Sequence, residues 1–323
     1  MSIRWGIIGC GDVTEKKSGP AFYKVPGSSL VAVMRRDAEK AKDYALRHGV
    51  PKWYDDAQSL IEDPDVDAVY VATPPDSHEQ YALASMHAGK PVYVEKPMSV
   101  DVEACERMRA VSQSTGVKLT VAHYRRAVPM FVRIGEMIDE GLIGEIRSIR
   151  LSMMQHDHPS ILENPRTRWR VDPAVGGIGG LFYDLAPHQL DLMVHYFGPV
   201  AEFKGFSANQ CGSYKAKDIV TGIILFQKNI LFNGTWCFSI DKGSEEDSCI
   251  VSGSKGKISF PFFGNEVTIE ADGHRQLMTF KHPEHIQQPM IEKVTRYFSG
   301  QGENPCTAEE AIASMRLMEG FAG

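Results

Sequence analysis

A six-residue apolar run, Ile3 to Ile8, opens directly into Gly9-Cys10-Gly11-Asp12-Val13-Thr14, and few short segments restrict a fold as tightly. The run reads as a strand. The first glycine permits a tight turn, and the second lets a pyrophosphate approach the backbone where a helix N-terminus meets its charge. Gly9, Gly11, Asp12 and Val13 are therefore candidate dinucleotide-binding residues. Thr14 stands where the usual third glycine would be. The surroundings support the motif: a second strand-like run, Leu30 to Met34, follows about 20 residues later.

Over the first 122 residues strand-like and helix-like patterns alternate, which implies a parallel sheet covered by helices. Strands are expected near 3–8, 29–34, 67–72, 91–95 and 117–122, and helices near 13–24, 38–48, 56–62, 77–88 and 101–115. From about residue 145 the pattern becomes one of alternating antiparallel strands: 146–154, 202–208, 219–226, 230–239, 248–252, 257–260, 266–270 and 276–280. A polar segment, 155–180, and a helix near 182–197 interrupt them. Helices near 285–299 and 307–320 close the chain. The expected architecture is α/β, with a Rossmann dinucleotide-binding domain over 1–122 and a domain with a large, open, mainly antiparallel sheet over 123–305. The last helix, 306–323, is expected to pack on the first domain.

Val92, Tyr93 and Val94 are β-formers followed by Glu95-Lys96-Pro97, so Lys96 falls at the carboxyl end of a strand, the edge where open α/β sheets bind ligands. A lysine partly shielded from water there can trade protons near neutrality. At the end of the second strand stand Arg35 and Arg36. Two guanidiniums suit the 2′-phosphate of NADP; the alternative has Asp37 on the ribose of NAD. Thr73, Pro74, Pro75 and His78 are expected to line the path toward the nicotinamide. Asp184 and His188 lie four apart on an expected helix, so their side chains face the same way, as a surface ion pair or as a carboxylate that orients an imidazole.

Together these residues resemble the family of glucose–fructose oxidoreductase, inositol dehydrogenase and MocA. The resemblance is carried by Gly9-Cys10-Gly11, Thr73-Pro74-Pro75 with His78, Ala88-Gly89-Lys90, Glu95-Lys96-Pro97, Trp169-Arg170, and Gly179-Gly180 followed by Asp184 and His188. It implies that Asp184 and His188 are the family's catalytic Asp-x-x-x-His, with Pro187 in place of the usual glycine and Asp191 as support. It implies a cis Lys96-Pro97 bond, and cofactor or substrate contacts from Glu95, Trp169 and Arg170. The expected chemistry is NADP- or NAD-dependent oxidation or reduction at a CH–OH group of a sugar, cyclic polyol or diol, with NADP favoured. Lys96 and His188 would share the proton of the reacting oxygen while Asp184 orients the histidine. Two other readings fit the same frame. One is a glycosidase that retains its nicotinamide; the other is a non-catalytic ligand sensor, which would not need the lysine and histidine present here.

The 323 residues suit two domains, and a formal charge of −6 gives no reason to expect nucleic acid or an anionic membrane as partner. No stretch is long and apolar enough for a membrane span, and the N-terminus runs straight into a strand, so no signal peptide is expected. Six cysteines without metal-type spacing point to free thiols in a reducing, cytoplasmic setting. Cys10 reads as a small residue that fits its turn. His156, Asp157 and His158 lack a completing ligand set, so no metal is expected. The broad sheet leaves a face to cover, which favours a homodimer or homotetramer.

Overall fold

A computed structural model describes residues 2–156 and 159–323. They form two compact units, Met1–Val128 with Pro283–Ile312, and Pro129–His282 with Ala313–Gly323.

In the first unit, chain order runs β1 (Ile3–Ile8), α1 (Asp12–Lys16), α2 (Ala21–Lys24), β2 (Ser28–Met34), α3 (Ala38–His48), β3 (Lys52–Tyr54), α4 (Ala57–Glu62), β4 (Ala68–Val71), α5 (His78–His87), β5 (Val92–Val94), α6 (Val102–Thr115) and β6 (Leu119–Val121). The strands form one parallel sheet in the order β3-β2-β1-β4-β5-β6, a Rossmann arrangement. β4 and β5 are buried throughout, which accounts for their unbroken apolar runs. Asp37, Asp56 and Asp101 each cap a helix by accepting from a main-chain amide three residues on, and Gly49 and Gly116 end α3 and α6 in the left-handed region.

Register places the functional edge. Tyr54, Met34, Ile8, Val71, Val94 and Val121 lie side by side across the six strands. The residues that follow them, Arg35, Gly9, Ala72 and Glu95 among them, therefore emerge together at one edge. The strand order reverses between β1 and β4, the position at which such sheets open a crevice.

Two local expectations are corrected. The helix expected over 13–24 is split into α1 and α2, because Pro20 cannot donate within a helix and disfavours helical backbone at Gly19. β3 was not anticipated; three residues are too few to show a period. The first unit also takes in residues 283–312, of which the sequence pattern assigns 283–305 to the second domain. His285 Nδ1 meets Lys16 O at 2.7 Å, Lys118 Nζ donates to Tyr297 O at 2.7 Å, and Asn304 Nδ2 donates to Leu119 O at 2.8 Å.

The second unit begins with α7 (Pro129–Asp139), β7 (Ile146–His156), α8 (Pro159–Glu163), α9 (Pro173–Gly176), α10 (Leu181–Leu185) and α11 (Pro187–Phe197). It continues through β8 (Val200–Ala208), β9 (Ile219–Phe226), β10 (Leu231–Ile240), β11 (Glu246–Gly253), β12 (Gly256–Phe260), β13 (Glu266–Ala271) and β14 (His274–Thr279). The sheet order is β14-β13-β12-β11-β7-β10-β9-β8. All pairs are antiparallel except β7 with β10. Topology requires that exception: β10 and β11 run in opposite directions and flank β7 on either side, so one must run parallel to it. The chain then forms α12 (Gln288–Phe298) and α13 (Ala308–Ala322).

α13 starts in the first unit, where Thr307 and Glu310 make a capping box and Glu310 also accepts from buried Arg126 at 2.7 Å. Its residues from Ala313 on belong to the second unit rather than to the first, as the sequence had implied for the whole helix. The reason is a trough of glycines. Gly205, Gly222 and Gly234 are cross-strand neighbours on β8, β9 and β10. A Cβ on Gly205 or Gly222 would come within 2.5 Å of Phe321. On the opposite face of these strands, Phe206, Ile223 and Leu231 are exposed.

Candidate active site

Gly9 has φ +95°, and a Cβ there would lie 2.7 Å from Thr73 Cγ2 and 2.8 Å from Thr73 N, so this turn admits only glycine. Gly11 is different. A Cβ on it would find nothing nearer than Gly9 O at 3.8 Å, so its bareness leaves space open rather than filling it. The first amide to close α1 is that of Thr14, which reaches Gly11 O at 3.0 Å, and the amides of Asp12 and Val13 precede it. An open glycine backed by first-turn amides is a cradle that fits a dinucleotide's pyrophosphate. Thr14 is buried and its hydroxyl also donates to Gly11 O, while Tyr44 OH donates to Thr14 O at 2.9 Å. Gly19, just beyond α1, is also confined, since a Cβ there would lie 2.1 Å from Thr14 O and 2.3 Å from Tyr44 OH. Glu15 binds Arg47 through both oxygens, and that pairing, with His48, brings its carboxyl down to about 2. Burial pushes the Cys10 thiol up to about 11, which leaves it inert as a nucleophile.

Arg35 Nη1 donates to Cys10 O at 3.2 Å, so this guanidinium is folded against the glycine turn, and Arg36 is exposed. Asp37 caps α3: Oδ1 accepts from Lys40 N at 3.2 Å and Oδ2 pairs with Lys40 Nζ. The Lys40 ammonium holds the Asp37 carboxyl below the usual carboxylate range.

Beyond β4, Thr73 and Pro74 lead into a single 3-10 turn, Pro75–Ser77. His78 does not present a free ring to the path it was expected to line. It is buried, with Nε2 at 2.7 Å from Thr73 O and Nδ1 at 3.0 Å from Pro97 O, so it braces the loop after β4 against the loop after β5. Burial holds its imidazole below the ordinary range, against the pull of the two carbonyls. Lys96 is partly exposed at the sheet edge, and the Lys96-Pro97 bond is cis. Glu95 is turned inward. Its carboxylate accepts from Tyr70 OH, from Gln287 Nε2 at 2.7 Å and from Lys96 N at 3.1 Å.

In the second unit, a 3-10 turn, Arg168–Val171, carries Trp169 and Arg170. The Arg170 guanidinium lies 4.6 Å from the Trp169 ring centroid, and its Nε donates to Asp184 Oδ2 at 2.9 Å. Gly177 and Gly179 wrap the Tyr183 ring so closely that a Cβ on either would come within 2.4 Å of it. Asp184 and His188 do not share one helix. Asp184 is in α10 and His188 in α11, because Pro187 has no amide to carry the hydrogen-bond ladder across. His188 is buried, with its ring edge-on to Phe263 at 6.3 Å, and Asp191 is buried a turn later. Next to His188, Gln189 Oε1 accepts from Trp236 Nε1 at 2.7 Å. His156 pairs with Glu245 at 2.6 Å, whereas Asp157 and His158 lie outside the described residues.

Two groups at the first unit's edge escape sequence reasoning. Tyr70 carried a faint signal, since a tyrosine inside a fully buried strand needs a partner for its hydroxyl. Gln287 carried none: it precedes a helix nearly two hundred residues from Glu95 and is joined to it only by the fold.

Comparison with known proteins agrees with the fold. A family model described as an oxidoreductase family with an NAD-binding Rossmann fold matches residues 3–123, and one for the GFO/IDH/MocA C-terminal domain matches 131–259. The chain is 43% identical over 321 residues to Oxidoreductase P35 of Formosa agariphila, covering 99% of this chain and 98% of that protein. It is 26% identical over 320 residues to the 1,5-anhydro-D-fructose reductase of Ensifer adhaerens, covering 97% and 93%. Among solved structures it resembles a 3-ketoreductase from Actinomadura kijaniata in complex with NADP and TDP-benzene. That match has a TM-score of 0.83 at 23% identity and covers 99% of this chain and 97% of the other.

Proposed function

The chain belongs to the GFO/IDH/MocA oxidoreductase family, and from that membership we propose that it interconverts an alcohol and a carbonyl on a sugar, cyclic polyol or related diol, with NADP as favoured hydride carrier. The observation that carries this reading is the alignment of Arg35, the Gly9 turn and Glu95-Lys96 along one sheet edge. Similarity to a 1,5-anhydro-D-fructose reductase supports the sugar-like substrate class.

A nicotinamide bound there supplies or accepts hydride at carbon, which leaves the protein to handle a proton. Lys96 is assigned to the reacting oxygen as polariser or proton relay. His188 is assigned as general acid/base, with Asp184 and Asp191 as its supports. Trp169 and Arg170 are assigned to cofactor or substrate contact, and Thr73, Pro74 and Pro75 to the nicotinamide side of the first unit's edge. Arg35 and Arg36 are assigned to the 2′-phosphate. Two facts support that last assignment: Arg35 already leans on the glycine turn, and the nearest acid, Asp37, is committed to capping α3. A homodimer or homotetramer completes the proposal, with Phe206, Ile223 and Leu231 on the face to be covered.

The test is a screen of sugars, inositols, diols and their keto forms with NADP and NAD, read by nicotinamide absorbance. Turnover within one of these classes, with the lower Michaelis constant for NADP, is expected. No turnover with any partner and either cofactor would overturn the reading. A preference for NAD would overturn only the assignment of the two arginines.

A further inference from the structure

We propose that Gln287 is a positioning residue for Lys96 and acts through the carboxylate of Glu95. The inference rests on the assignment of Lys96 to the reacting oxygen. Glu95 is only 5% exposed, and a carboxylate so placed keeps its position only while donors surround it. Its Oε2 accepts from the main-chain amide of Lys96 at 3.1 Å, so the carboxylate holds the backbone that carries the lysine. Its Oε1 is held in turn by Tyr70 OH and by Gln287 Nε2, the latter at 2.7 Å.

The orientation of Gln287 is fixed by this contact. The residue is 1% exposed, and its Oε1 makes no hydrogen bond among the described residues. Turning the amide over would satisfy neither end, because it would set that oxygen against the carboxylate. A buried glutamine that leaves its own acceptor unsatisfied is stabilised in this place by the donor it gives to Glu95. Its main chain is anchored separately, through Gln287 N to Lys17 O at 3.1 Å. The side chain can therefore be changed without removing that bond. Tyr70, Tyr93 and His78 also sense the charge of Glu95. Gln287 touches no reacting atom in this arrangement. Its effect is to keep the strand end, and thus the lysine, in one place, and misplacing a reacting group by about 1 Å can cost around 100-fold in rate.

Three variants test it: Gln287→Leu, Gln287→Glu and Lys96→Met. Gln287→Leu removes the donor, and kcat should fall roughly 10- to 100-fold at every pH, with the Michaelis constant for NADP within about twofold of wild type. Gln287→Glu puts a second carboxyl against Glu95, and two such groups share one proton. The variant should work nearly as wild type at the acid end of the profile and lose about tenfold or more as that proton leaves, a step wild type lacks. A second readout needs neither substrate nor cofactor. Lysines are reductively methylated with ¹³C-formaldehyde, and the Lys96 signal, identified by its loss in Lys96→Met, is followed by NMR against pH. In Gln287→Glu that signal should show the extra titration step, and in Gln287→Leu it should shift without it. If Gln287→Leu turns over like wild type and leaves the Lys96 signal in place while Lys96→Met is inactive, the positioning role is wrong and the assignment of Lys96 survives. If Lys96→Met turns over normally, the functional assignment falls, and the NMR readout still decides whether Gln287 holds Lys96. Should Gln287→Leu fail to fold, the acid-side recovery of Gln287→Glu decides the matter.

Discussion

Arg35 and Arg36 carry the sharpest single-residue expectation. Each charged hydrogen bond to a phosphate contributes on the order of 1.5–3 kcal/mol, so replacing both arginines by alanine should weaken NADP by at least about tenfold and leave NAD nearly unchanged. Fluorescence titration of the two reduced cofactors measures this directly. His78 makes a different prediction, about stability. Its folded imidazole titrates below the ordinary value of about 6.5, so between the two values the unfolded chain binds more protons. Stability is therefore present above that ordinary value and lost as pH falls through the folded one. Thermal melts from pH 7.5 to 5 should show a shallower fall in Tm for His78→Gln than for wild type. An equal or steeper fall would mean that His78 is not the buried neutral group described here.

Much of the architecture could be read from periodicity, and the failures have identifiable causes. The strands around Ile3–Ile8, Leu30–Met34 and Val92–Val94 showed because buried parallel strands make unbroken apolar runs. β3 did not, being three residues long. The β7–β10 pairing is parallel because of how two hairpins flank one strand, and no alternation pattern encodes it. Pro187 was visible as a residue, but its effect, the division of one helix into α10 and α11, depends on where the ladder had to be carried. That division matters to the candidate site. Spacing put Asp184 with His188, and the structure adds an ion pair of Asp184 with Arg170 at 2.9 Å, which spacing could not show. A double-mutant cycle of Arg170→Met with Asp184→Asn should therefore show a coupling of roughly 0.5–3 kcal/mol in the transition-state free energy, from the four values of kcat/KM. Strict additivity would mean that the pair does not act together.

The eight-stranded sheet has unlike faces. One is filled by α13, with Phe321 over Gly205 and Gly222, and the other exposes Phe206 and Ile223 at 67% and 57%. Replacing both exposed residues by aspartate should lower the mass found by light scattering by half or more while leaving the melting curve within a few degrees, as befits changes at a surface. An unchanged mass would place any oligomer contact elsewhere.

The split composition of the first unit bears on the order in which this protein can be made. Val128 ends its opening stretch, yet Gln287, Asn304 and Cys306, which satisfy Glu95, Leu119 and Val121, arrive only with the closing one. A ribosome adding about 5–20 residues per second needs roughly ten to forty seconds to cover that interval. Throughout it the nascent dinucleotide-binding half has a buried carboxylate and strand-end groups without their partners, while the sheet of the second unit is being made. The unit begun first is thus closed only by residues 283–312, near the end of synthesis. A fragment ending at Val128 should show no cooperative melting transition by circular dichroism.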